Sequence, residues 1–229
     1  MENILAILIT GCSSGLGFEL AKTHIELGDS VYGISRSLTN LELTDFLQVD
    51  FKQDNAYNKV RQAQFLHYAY FTRVYLNAGE LGSLKPIDTT TPEEISDIIN
   101  SSVLGNKQIL DILLKRKNVE RVCWTSSGAA EKAYAGMSLY CLVKAMNLQL
   151  ARGYQEEFPD IKFHCVNPGP FQSKMQEEIR SYDPSLFPSL NRFHELEHTF
   201  PPASSVANML IKKLDGDTPL SFNMKIGVY

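Results

Sequence analysis

Apolar residues run almost unbroken through positions 4–10 and stop at a glycine-containing turn, the pattern of a parallel strand buried on both faces. From 16 to 27 the apolar positions take up helical spacing, and Gly28 closes the segment. Shorter apolar runs at 31–35, 46–49, 74–76, 119–125 and 161–166 read as further strands, with helical patterns between most of them, including 91–115 and 138–158. Strands alternating with helices predict an α/β fold: a doubly wound parallel sheet with helices on both faces, because parallel neighbours need right-handed crossovers that cover the sheet. No Pro/Gly/Ser-rich linker and no repeat divides the chain, so one domain over residues 1–229 is expected. The stretch 170–202 breaks the pattern with charges, aromatics and the prolines Pro184, Pro188, Pro201 and Pro202, and is expected to form a short substrate lid. Ligands of such sheets bind outside the carboxyl ends of the strands.

Composition narrows the partner. With 229 residues the chain is long enough to bury a core without disulfides or a metal. Its net charge is -4 and its basic residues are scattered, which leaves no nucleic-acid footprint and no polybasic membrane patch, so a small molecule is expected. Cys12, Cys123, Cys141 and Cys165 form no C-x-x-C pair and fall mostly in or beside apparent buried segments, which fits a reducing, cytoplasmic compartment. The apolar run after Met1-Glu2-Asn3 is too short to span a membrane and lacks the basic start of an export signal.

The chemistry is concentrated in two places. Gly11-x-x-x-Gly15-x-Gly17 directly follows a strand and opens a helix, so Gly11, Ser13, Ser14, Gly15, Leu16 and Gly17 are candidates to bring backbone N–H groups against a pyrophosphate. About twenty residues further on, where an NAD site carries Asp or Glu, the chain has Ser35-Arg36-Ser37. Arg36 suits a 2′-phosphate, so NADP(H) is the expected cofactor, although Ser14 leaves the glycine turn without a second basic residue. Tyr140 and Lys144, thirteen and seventeen residues after Ser127, lie on one helix face, where an ammonium beside the phenol is expected to lower its pKa from the reference near ~10.

Taken in order, the glycine turn, Asn77-Ala78-Gly79, Ser127, Tyr140 with Lys144 and Asn167-Pro168-Gly169 resemble the short-chain dehydrogenase/reductase family, over landmarks from Thr10 to Ser173. The resemblance implies a Rossmann-type fold in which NADPH delivers hydride to a ketone or vicinal dicarbonyl while Tyr140 protonates the oxygen. It implies that Ser127 orients the carbonyl and that Lys144 also binds the nicotinamide ribose. Asp50 falls where the family holds the adenine amino group, Asn77, Ala78 and Gly79 where it lines the adenosine. Pro168, Gly169 and Ser173 match the segment that packs the nicotinamide, with serine where threonine is usual. The family's catalytic asparagine falls on Ser102; Asn100, about 200° away around a helix, does not replace it. That departure motivates an alternative reading, a catalytically weak NADP(H)-binding sensor or scaffold. Through the helical stretches 91–115 and 138–158 the resemblance implies a homodimer or homotetramer.

The segments 173–180 and 191–193 look like the sepiapterin reductase and benzil reductase branch of the family. The tail 223–229 lacks an acidic residue for a pterin ring edge, so a hydrophobic ketone is expected, with Tyr134, Met137, Phe171 and Met175 as candidate pocket walls. His194-Glu195-Leu196-Glu197-His198 satisfies the His-Glu-x-x-His pattern of zinc hydrolases, but it stands in the lid just before Pro201-Pro202 without an evident third ligand, so no metal is expected. His24, His67 and His164 form no recognisable cluster.

Overall fold

The computed structural model describes residues 4–182, 185–215 and 224–225. Its centre is a parallel sheet of β1 (Ala6–Thr10), β2 (Ser30–Ser35), β3 (Asp45–Gln48), β4 (Arg73–Leu76), β5 (Arg121–Thr125), β6 (Lys162–Asn167) and the two-residue β7 (Met224–Lys225), in the order β3-β2-β1-β4-β5-β6-β7. The order reverses direction between β1 and β4, which opens a crevice at the carboxyl ends of these two strands. Strand ends differ from the apolar pattern by one or two residues; Val119 pairs alone with Phe71 before β5 begins.

Consecutive residues of β1 face opposite sides of the sheet and feed two cores. Ile7 and Ile9 pack with Leu16 and Leu20 of α1 (Gly15–Glu26) and with Val206, Leu210 and Leu214 of α9 (Ala203–Asp215). Leu8 instead joins the core formed with α2 (Ala56–Gln62), α3 (Phe65–Tyr68), α5 (Gly105–Arg116) and α6 (Ser138–Glu157), including Leu66, Ile109, Leu110 and Leu148. All three β1 residues are wholly buried, worth roughly 1.5–3 kcal/mol each relative to exposure.

The stretch 91–115 is not one regular helix. Thr91 caps α4 (Pro92–Ile99) by a reciprocal capping box with Glu94, and a π turn over Asn100–Leu104 then leads into α5. A side chain at Gly105 would strike the Phe51 ring at 2.5 Å, so a glycine is required where the helix resumes. Apolar spacing alone runs smoothly through this point and does not reveal the extra residue. The helix α9 is an addition to the elements predicted above, with Val206, Ala207, Leu210, Ile211 and Leu214 forming its buried face at helical spacing. The segment beyond β6 contains α7 (Lys174–Arg180) and α8 (Asn191–Glu195), which pack through Ile179 and Phe193, with Leu190 of the turn before α8, against Leu81, Leu84 and Met137. No described helix is long and apolar enough to cross a membrane.

Candidate active site

The crevice is a cavity of about 580 Å³ whose floor is the glycine turn between β1 and α1. Gly11 and Gly15 take left-handed backbone (φ +71° and +56°), which leaves their backbone free of the strain another residue would carry. Gly15 has open space where a Cβ would stand, and the Ser14 side chain makes no cap on α1. The first-turn N–H groups are therefore not claimed by a capping side chain and border the cavity, a cradle suited to a pyrophosphate. Gly17 does not line the cavity. A Cβ there would lie 2.2 Å from the Gly11 carbonyl oxygen, so this glycine allows the helix to pack under the turn.

A residue that sequence reasoning passed over holds the turn against β4. The Thr10 hydroxyl accepts the N–H groups of Asn77 and Ala78, both at 2.9 Å, and donates to Asn106 Oδ1 at 2.8 Å. Asn106 Nδ2 in turn donates to the Ala78 carbonyl at 2.9 Å. This buried set fixes Asn77-Ala78-Gly79 along the cavity wall. Ser35, Arg36 and Asp50 line the same end. One Asp50 oxygen already accepts the Lys52 N–H at 3.0 Å, closing its own turn.

On the opposite wall, β5 ends at Thr125 and presents Ser127, whose Oγ accepts the Ala129 N–H at 3.2 Å. Tyr140 and Lys144 come from the first turns of α6, and all three side chains face the cavity. Lys144 Nζ lies 5.5 Å from the centre of the Tyr140 ring and donates to the Thr125 carbonyl at 2.8 Å. Burial lowers its pKa to about 8. The expected depression of the phenol is not what these residues alone produce: burial raises the Tyr140 pKa, and the opposing hydrogen bond comes from Ser127 rather than from the lysine. The ammonium sits over the ring.

Ser102 lies in the π turn, is buried and does not line the cavity. Its Oγ accepts the Glu80 N–H at 3.2 Å, and its carbonyl accepts Nδ2 of Asn147 at 3.0 Å and of Asn106 at 3.3 Å. The neighbouring Ser101 reaches the cavity instead. Pro168, Gly169 and Ser173 border the cavity above β6; Gly169, at φ +72°, donates its N–H to Asn167 Oδ1 at 2.9 Å, and Ser173 caps α7 by accepting the Gln176 N–H.

Tyr134, Met137, Phe171 and Met175 all line the outer half of the cavity, joined by Ile179 and Phe193, which the sequence reading left out. The Tyr134 and Phe193 rings lie 6.2 Å apart. The His-Glu-x-x-His segment is not one helix: α8 ends at Glu195, and His198 falls in a separate 3-10 turn, both histidines being exposed. Among the described residues no three His, Cys, Asp or Glu side chains gather as a metal site. Of the tail 223–229, all but the backbone of 224–225 lies outside the described residues, and with it the expectation about a pterin edge.

A doubly wound parallel sheet with a glycine turn at its switch point and a Ser, Tyr and Lys set across the crevice defines a Rossmann-type oxidoreductase fold. The sequence model described as short chain dehydrogenase matches residues 5–184, and the chain belongs to that family. It is 29% identical over 90% of its length, and 90% of the relative's, to benzil reductase ((S)-benzoin forming) of Saccharomyces cerevisiae. Identity to the benzil reductase ((S)-benzoin forming) of Bacillus subtilis is 26%, over 84% of this chain and 85% of that one. A crystal structure of a Saccharomyces cerevisiae short chain dehydrogenase/reductase superposes with a TM-score of 0.84, covering 98% of this chain and 96% of that one at 21% identity. Within the family the chain stands near the benzil reductase and sepiapterin reductase branch.

Proposed function

We propose that the protein is an NADPH-dependent reductase of ketones or vicinal dicarbonyls. The observation that carries the reading is the convergence of Ser127, Tyr140 and Lys144 on one cavity whose other end is an uncapped helix N-terminus on a glycine turn. NADPH supplies the hydride when bound. Gly11 to Leu16 hold its pyrophosphate, Arg36 meets the 2′-phosphate, and Lys144 binds the ribose of the nicotinamide half. Ser127 holds the substrate oxygen by a hydrogen bond while Tyr140 gives it a proton. A phenol whose pKa is raised stays protonated at neutral pH, as a general acid must. The apolar outer wall of Tyr134, Met137, Phe171 and Met175 suits an aromatic or alkyl ketone, and the names of the benzil reductase relatives support a dicarbonyl. The stretch 170–202 serves as the lid over it. Four free cysteines fit a cytoplasmic setting, and pairing through α4, α5 and α6 fits a homo-oligomer.

The test is NADPH consumption by the purified protein with benzil, diacetyl and simple aromatic ketones, beside Tyr140→Phe. Consumption that falls by at least about a thousandfold in the variant, with NADPH binding kept, is the expected result. Ser102 motivates the second reading, an NADP(H)-binding sensor or scaffold, because its hydroxyl and carbonyl are both engaged within the protein. Binding of NADPH without Tyr140-dependent turnover of any carbonyl would favour it.

A further inference from the structure

Glu80, which follows Asn77-Ala78-Gly79, stands on the cavity wall between two basic residues. Lys52 Nζ lies 2.9 Å and 3.0 Å from its two carboxylate oxygens, and the Ser101 hydroxyl donates to one of them. The Glu80 N–H is held by Ser102 Oγ at 3.2 Å. Arg36 Nη1 approaches to 4.0 Å, and the Arg36 side chain is 64% exposed against 27% for Glu80. The carboxylate is therefore fixed from the protein side, whereas the arginine is its loosest partner.

We propose that Glu80 sets the dinucleotide preference, an inference that rests on the cofactor reading above. A 2′-phosphate drawn to Arg36 meets a fixed negative charge a few ångströms away, and Lys52, the second cation of the corner, is already paired. A ribose 2′-hydroxyl meets no such repulsion and can donate to the same carboxylate. Glu80 thus works against Arg36 and narrows the gap between NADP(H) and NAD(H), so that the chain accepts both.

The test is direct titration of NADPH and NADH by nicotinamide fluorescence, with no substrate present, on the wild-type chain, Glu80→Gln and Lys52→Gln. Glutamine keeps the shape and the acceptor for Ser101 while freeing both cations. The Kd for NADPH is expected to fall about tenfold in Glu80→Gln with that for NADH within about threefold of wild type, and the gain to shrink as ionic strength rises. Lys52→Gln, which leaves the carboxylate uncompensated, is expected to weaken NADPH more than NADH. A parallel change in both affinities would mark a merely structural residue and overturn the proposal, as would an unchanged ratio in either variant. Failure of wild type to bind either nucleotide is visible before any variant is made and would overturn the cofactor reading itself.

Discussion

Lys144 shows how one buried charge links stability to the site. Burial lowers its pKa from 10.5 to about 8, so between these values the folded chain holds fewer protons than the unfolded one and gains stability as pH rises. Lys144→Met removes the titration. The stability of wild type relative to this variant is expected to rise by up to about 3 kcal/mol from pH 8 to above 10.5, read from urea midpoints across that range. A flat difference would mean that the ammonium is better solvated than its burial implies. Tyr140, Lys144 and Ser127 were legible in sequence because a helix face and the end of an apolar strand place them with little outside help. Thr10, Asn106 and Glu80 were not. Thr10 and Asn106 are 96 residues apart and meet only because β1 and α5 pack at the same crevice. A polar residue at the end of an apolar run gives no local sign of such a partner.

At the scale of elements, the same contrast separates strands from helices. The strands declare themselves because both faces of the sheet are covered and their sequences are continuously apolar. The break between α4 and α5 leaves no comparable trace, since Ile98, Val103, Ile109 and Leu110 are all apolar and buried across it. The start of α4 is plainly written: Thr91, Pro92 and Glu94 give a cap, a first-turn proline and a reciprocal acceptor. Thr91→Ala is expected to lower stability by about 1 kcal/mol, measured by chemical denaturation. If the loss is negligible, contacts beyond the cap hold this helix end. Substitution at Gly105 acts on the other segment, where alanine meets the Phe51 ring rather than a solvent gap.

For the molecule as a whole, two histidines that the proposed chemistry does not use contribute to behaviour in acid. Burial lowers the pKa of both; His24 is held by Asp29 and Tyr75, while His164 falls to about 4, helped by the charges of Arg121 and Lys162. From pH 6.5 down to about 4 the unfolded chain binds a proton that folded His164 refuses, and the lowered pKa of His24 acts in the same direction below 6.5, so stability is lost as pH falls. His164→Phe is expected to flatten the decline, followed as Tm against pH; an unaltered slope would assign the acid sensitivity to carboxylates instead. Sheet class and the two ends of the cavity were readable from the chain because each depends on patterns that repeat over many residues. The outer wall was readable only in part, since Ile179 and Phe193 arrive on short helices whose placement no periodicity dictates.

The π turn at Asn100–Leu104 acts as a phase shifter. One residue beyond an α-helical turn offsets everything after it by about 100° about the axis. Removing a single residue there would restore an unbroken helix, with better backbone geometry, and at the same time rotate Asn106 off Thr10 and carry Gly105 away from Phe51. Insertions and deletions in this segment are thus out of step with their effect on helix stability: the variant with the more regular helix is the one whose crevice loses its frame.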